Sequence, residues 1–222
     1  MSEQTWSTVD DYLSDVLLGA DPVLDATVAR ADAAGLPSIQ VSATQGKQLM
    51  LLARAVAARR VLEVGTLGGY SAIWLARALP ADGHLDTCEI DPLHAEMARA
   101  SIADAGLADR VTVHLGPAAD TIARLTSEGV EAYDFAFIDA DKQSNADYVR
   151  ATVTLSHPGT LIVVDNVVRN GRVVDAASED ASVVGTRRLF DYLAGEPRLD
   201  ATAVQTVGSK GYDGFALALV VG

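Results

Sequence analysis

Long apolar runs are missing from this sequence. None approaches the roughly 20 residues needed to cross a bilayer, so a helical membrane span is not expected. Cysteine is almost missing too: Cys88 stands alone, which excludes an intrachain disulfide framework and suits a reducing compartment. The first stretch, "MSEQTWSTVDDYLSD", is acidic and polar and lacks the basic start and apolar core of a signal peptide, so the cytoplasm is the expected location. Basic clusters are scarce. Lys and Arg number 17 against 30 Asp and Glu, for a formal charge of −13, and the densest basic groupings are "RR" at 59–60 and 187–188. A phosphate-tracking surface needs clustered cations, so nucleic acid is not an expected partner. Such acidity also suits cations, although solubility accounts for most of these charges. Repeats, low-complexity tracts and composition breaks are absent, and 222 residues at 49% hydrophobic content read as one domain, 1–222, with a large core.

What is present falls into two rhythms. Residues 8–19, 22–34 and 44–58 carry apolar positions at helical spacing, broken by "DP" at 21–22 and "LPS" at 36–38, which makes 1–58 a helical N-terminal layer. From residue 59 short apolar or β-branched runs take over: "RVLEVG", "HLDTCEID", "RVTVHLG", "YDFAFID" and "GTLIVVDN". Helix-like segments near 70–79, 92–106, 117–128 and 145–155 separate them, the pattern of a doubly wound, mostly parallel α/β sheet. A helix near 180–195 and two strands, "DATAVQTV" and "FALALVV", complete the 59–222 core. The connection "GSKGYDG" suits a hairpin, so the last strand should run antiparallel and the sheet should be mixed at its last edge.

Ligands of such sheets sit beyond the carboxyl ends of the strands. The first strand runs into "EVGTLGGYSAIWLA", where Gly65, Gly68 and Gly69 allow a tight turn and a close backbone approach. Leu67 occupies the place of the second glycine of a dinucleotide fingerprint, and no G-K-[ST] follows, so both common phosphate readings lose ground. A tight β-to-α turn without a ligand is the other reading. Glu89, in "CEID", lies 24 positions after Gly65, about where a carboxylate accepts the hydroxyls of a ribose, and a nucleoside is therefore implied.

Taken together, "VLEVGTLGGYS", "CEID", "FIDADK" and "VVDN" resemble the cation-dependent, S-adenosylmethionine-dependent O-methyltransferases, the family of catechol and caffeoyl-CoA O-methyltransferases. The resemblance runs from about Val41 to "YDGFALAL" and implies a Rossmann-like methyltransferase fold with a seven-stranded sheet. It implies that Glu63, Gly65, Tyr70 and Ser71 hold the methionine part of the cofactor, Glu89 its ribose and Ala118 the adenine edge. Val41 would pack near the sulfonium end, and Asp139 would also face the cofactor.

The strand "DFAFI" then ends in Asp139, Ala140, Asp141 and Lys142. With 134–138 as the fourth strand and 160–164 as the fifth, Asp139 and Asp165 both sit at carboxyl ends of strands that, when adjacent, lie about 4.8 Å apart. Asn166 can join them only if the backbone is already turning, since successive strand residues point to opposite faces. Two carboxylates and an amide oxygen are hard ligands suited to Mg²⁺, or to Mn²⁺ and Ca²⁺, with positions left for two substrate oxygens. A plain strand-end turn is the alternative, and Asp141 is read as a turn or supporting residue.

The mechanism expected from the resemblance has a catechol chelate the cation and lose a proton to Lys142, whose family counterpart follows the first metal ligand at this interval. The oxyanion then attacks the methyl group. A solvated loop lysine is the competing reading for Lys142. His84, His94, His114 and His157 show no paired metal spacing, Cys88 reads as a small buried hydrophobe, and Trp74 and Leu75 read as packing residues. Substrate choice is expected from residues 36–44 and the loop "VVRNGRVVDAASED", where Arg169 and Arg172 could contact an acidic acceptor or a coenzyme A phosphate, solvated loop arginines being the commoner case. The expected partner is a small hydroxylated aromatic, and family members are commonly homodimers. A metal-independent methyltransferase, a nicotinamide-dependent oxidoreductase and a non-catalytic nucleotide-binding module are the other functional classes.

Overall fold

The computed structural model describes residues 3–222; Met1 and Ser2, the first two residues of the polar N-terminal stretch, lie outside them. Three helices come first: α1 (Glu3–Leu17), α2 (Pro22–Ala33) and α3 (Ala43–Ala55). Their starts are written locally. Asp21 accepts the Leu24 N–H ahead of Pro22, and Ser42 and Gln45 form a reciprocal capping box. The first helix begins five residues before the expected position 8. It buries none of its residues, so no apolar periodicity marks its opening turn.

The alternating region follows as β1 (Arg60–Val64), α4 (Tyr70–Ala76), β2 (His84–Glu89), α5 (Pro92–Asp104), β3 (Val111–Leu115), α6 (Ala118–Glu128), β4 (Tyr133–Ile138), α7 (Asn145–Thr154) and β5 (Ser156–Asp165). Then come α8 (Ala181–Gly195), β6 (Leu199–Gly208) and β7 (Gly211–Val220). Strand β5 starts earlier than its apolar run because Ser156, His157, Pro158 and Gly159 extend it without any strand-like composition.

All seven strands form one sheet, ordered β3-β2-β1-β4-β5-β7-β6, with the first five parallel and β7 antiparallel to both neighbours. The hairpin is as expected, but its antiparallel strand is internal and β6 takes the edge. Burial explains the choice. Phe215, Ala216, Ala218 and Val220 of β7 are covered, whereas β6 is exposed along most of its length and suits an edge.

Period-2 alternation splits the core in two. Val61, Leu85, Phe135 and Phe137 face α3, α4 and α5, while Leu62, Val64, Ala136, Ile138 and Ile162 face the side of α6, α7 and α8. Strands buried on both faces read as continuous apolar runs, which is why the pattern was visible. The order reverses between β1 and β4: β1 leads outward through β2 and β3, and β4 leads the other way. That crevice, at the carboxyl ends, is where a doubly wound sheet opens a ligand site.

Candidate active site

Gly65 leaves β1 with φ 101°, and a Cβ there would lie 2.4 Å from the Asp139 carbonyl oxygen. Only glycine lets the two strand ends approach this closely. Leu67 adopts φ 49°, so the turn keeps a left-handed residue where the dinucleotide pattern would have placed glycine. Glu89 stabilises that backbone. Its Oε2 accepts the N–H groups of Thr66 and Leu67 at 3.3 and 2.8 Å, and its Oε1 accepts that of Asp91 at 2.9 Å. A carboxylate offers about four acceptor sites, so three bonds leave room for one more.

Glu63 lies beneath this turn, wholly buried. Thr87, its cross-strand partner, donates to Oε2 at 2.6 Å, while Oε1 has no partner among the described residues. Burial pushes its carboxyl up to about 7; the Ser71 and Thr87 hydroxyls pull the other way, and the charges of Asp139 and Glu89 add to the rise. An orphaned buried acceptor of this kind calls for a donor, and a cationic one best of all.

The acidic strand ends lie side by side. Ile138 pairs with Val164, so Asp139 and Asp165 follow at the same level, and the Asp139 N–H still bonds the Val64 carbonyl at 2.8 Å. Asn166 has φ 58°: the chain has left its strand, which is the condition for Asp165 and Asn166 to serve one site. Asp165 is buried, and burial first and the charge of Asp139 second raise its pKa, against the opposing charge of Lys142. Lys142 donates to Asp139 Oδ1 at 2.5 Å, with both side chains largely shielded. Asp141 accepts the Tyr148 hydroxyl at 2.6 Å. Among the described residues no three His, Cys, Asp or Glu side chains cluster as a metal site, so an ion here would need the Asn166 amide to complete its protein ligands. Two neighbouring carboxylates, one of them buried and raised in pKa by the charge of the other, with an ammonium bonded to Asp139, form a donor set that fits a hard divalent cation.

One cavity of about 610 Å³ gathers most of these residues. Val41, Gly65, Tyr70, Ser71, Glu89, Ala118, Asp139, Lys142 and Asn166 line it. Glu63, wholly buried, does not line it. Asp165 faces a small adjoining hollow with Val41, Gln45 and Phe137. The cavity also takes in Thr27 and Ala31 of α2 and Tyr148, none of which sequence reasoning had put there, and Arg169, from the loop expected to choose the substrate, where a solvated side chain was the favoured reading. A partial signal existed for α2 alone, whose Thr27 and Ala31 share a face at four-residue spacing. Ile39 and Gln40, within the expected substrate segment, line it as well.

Of the residues set aside, Cys88 and His94 border the cavity, and the others behave as packing and pairing groups. His114 and His157 bond Asp86 and Asp134 at 2.8 and 2.9 Å, and His84 and His94 lie 3.7 Å from Asp86 and Glu89. Cys88 is buried, and its thiol is pushed up to about 12 by that burial, which removes it as a nucleophile. Trp74 and Leu75 belong to the core.

Residues 20–219 match the family model described as O-methyltransferase. A catechol O-methyltransferase from Mycobacterium tuberculosis is 53% identical over 212 residues, 96% of this chain and 94% of that protein. Among solved structures, an O-methyltransferase from Bacillus cereus in complex with SAH has a TM-score of 0.97 at 51% identity, covering 99% of this chain and 100% of that one. The O-methyltransferase TomG from Streptomyces achromogenes, in complex with SAM, has a TM-score of 0.97 at 47% identity and covers 100% of both chains.

Proposed function

Because the chain belongs to the O-methyltransferase family, we propose that this S-adenosylmethionine-dependent enzyme methylates one hydroxyl of a vicinal diol, a catechol or caffeoyl-like small molecule, chelated by a divalent cation. The observation that carries the diol reading is the level placement of Asp139 and Asp165 on adjacent strand ends, with Asn166 turned into left-handed backbone beside them. A cavity of about 610 Å³ falls in the range of small-molecule sites and suits a cofactor with a small aromatic acceptor.

The bound cofactor supplies an electrophilic methyl group on a sulfonium. Glu63 offers its unpaired Oε1 to the cofactor's ammonium, with Gly65, Tyr70 and Ser71 around the methionine part. Glu89 has one acceptor position left for a ribose hydroxyl. Ala118, in the first turn of α6, has a backbone N–H without an intrahelical partner and presents it to the adenine edge. Val41 and Asp139 also line the cavity, Val41 being the residue that would pack near the sulfonium end and Asp139 one that would also face the cofactor. A divalent cation held by Asp139, Asp165 and Asn166 would lower the pKa of a chelated hydroxyl and compete with Lys142 for Asp139. Displaced from Asp139 and deprotonated to the neutral amine by the cation's charge, Lys142 Nζ would accept the acceptor's proton, and positioning of the oxyanion would supply much of the acceleration.

The experiment that tests this is transfer of a labelled methyl group from S-adenosylmethionine to simple catechols with Mg²⁺, repeated with excess chelator. Loss with chelator and recovery with metal is the expected result. Transfer indifferent to chelation would sink the cation and favour a metal-independent methyltransferase. A cytoplasmic homodimer belongs to the same reading, supported by the unpaired Cys88 and by Val9, Tyr12, Val16 and Leu17 of α1, exposed beside the edge strand β6.

A further inference from the structure

Arg169 and Arg172 lie three residues apart in the loop after the Asp165 strand, yet the fold treats them differently. Arg172 is half exposed and pairs with Asp180 at 2.9 Å. Arg169 lines the cavity, with a side chain 23% exposed. Its guanidinium makes no hydrogen bond among the described residues: Nε is buried and unpartnered, and its ion pair with Asp213 is a long one, Nη1 to Oδ2 at 3.9 Å.

Its backbone is held in place. Arg169 and Asn170 adopt φ 57° and 55°, a left-handed conformation that is costly for residues other than glycine. Asp213 Oδ1 fixes it by accepting the N–H groups of Val168 and Arg169 at 2.8 and 3.0 Å. The other charges at this end of the cavity are engaged: Asp139 with Lys142, and Asp141 with the Tyr148 hydroxyl. A cation with five N–H donors, held at a cavity wall without a hydrogen bond, lacks a planar oxyanion. The molecule's formal charge of −13 repels anionic ligands at long range, so a local cation is what would admit one.

We propose that Arg169 is a specificity-determining residue that binds a carboxylate on the ring of the acceptor, so that the favoured substrate is an anionic vicinal diol, an aromatic acid. This rests on the diol methylation proposed above and narrows its substrate class. Arginine suits the role because its fork matches a carboxylate in two parallel bonds, which lysine does not reproduce.

The test compares kcat/KM for 3,4-dihydroxybenzoate and for its methyl ester, with S-adenosylmethionine and Mg²⁺, in the wild type, Arg169→Gln and Arg169→Lys. The wild type should favour the acid. Arg169→Gln should lower the acid-to-ester ratio about ten- to hundredfold, chiefly through KM, as expected when a charge-assisted hydrogen bond is lost. Arg169→Lys should restore part of it. An unchanged ratio in Arg169→Gln, with transfer to both diols intact, would overturn this inference alone. A matching loss of S-adenosylmethionine affinity by calorimetry would also overturn it, by assigning the guanidinium to the cofactor. Failure of the wild type to methylate either diol would instead sink the diol reading, and this inference with it.

Discussion

With its carboxyl pushed up to about 7, Glu63 stays protonated well above the pH at which an exposed glutamate ionises. Below its ordinary value of 4.5 both the folded and the unfolded chain hold the proton, and the group has no effect on stability. Between 4.5 and 7 the unfolded chain releases the proton and the folded one keeps it, so stability falls as pH rises. Above 7 the loss is complete, at up to about 3 kcal/mol. Denaturant unfolding of the cofactor-free protein at pH 5 and pH 8 should show this decline, and Glu63→Gln should remove its share. Cofactor binding should run the opposite way and tighten as pH rises past 7, because the ionised carboxylate is the better acceptor for an ammonium. Glu63→Gln should weaken that binding at least about tenfold. Replacement of Lys142 by Ala should lower turnover by about 10²- to 10⁴-fold, the usual contribution of a positioned base. The dissociation constant for S-adenosylmethionine should stay near normal; unchanged turnover would remove Lys142 from the mechanism. Asp139, Lys142 and Asp165 were legible as candidates because a carboxylate that ends an apolar strand breaks the local pattern. Arg169 was legible only as one of two equivalent loop arginines, because its shielding depends on a backbone anchored by Asp213, 44 positions further along the chain.

At the scale of elements, the contact between α3 and α4 decides where Val41 lies. Gly46 of α3 faces the indole of Trp74, and a Cβ there would come within 2.3 Å of the ring. Ala in place of a mid-helix Gly ordinarily gains about 1 kcal/mol from propensity. Overpacking against a buried ring costs about 1–3 kcal/mol and should win. Gly46→Ala should therefore lower the melting temperature, and any outward shift of α3 would carry Val41, just before its cap, away from the cavity. A raised melting temperature would show that Trp74 can move aside. Helix starts were readable from Asp21 and Ser42, whose capping chemistry is local. The start of α1 was not, since that helix buries nothing. The placement of β7 inside β6 was equally hidden, because a hairpin turn sets pairing but does not say which strand will meet β5.

Across the whole molecule, the topological switch between β1 and β4 brings a glycine turn and an acidic strand end together, although Gly65 and Asp139 are 74 positions apart. At the opposite extreme from this buried crevice, α1 leaves Tyr12 and Val16 more than 60% exposed while Asp10 binds the Ser209 N–H at the β6–β7 turn. Sedimentation velocity should find a dimer that Tyr12→Glu with Val16→Glu shifts toward monomer; a monomeric wild type at micromolar concentration would remove the homodimer from the proposal. The sequence by itself determined the alternation of strands and helices, the positions of the turns and the chemistry of the strand ends, because periodicity, capping and strand-terminal carboxylates are properties of neighbouring residues. Only the tertiary structure decided which strand ends meet, that Glu63 keeps an unpaired oxygen, and that Arg169 rather than Arg172 faces the cavity. Those outcomes depend on burial and on contacts between residues far apart in the chain, and no local pattern encodes them.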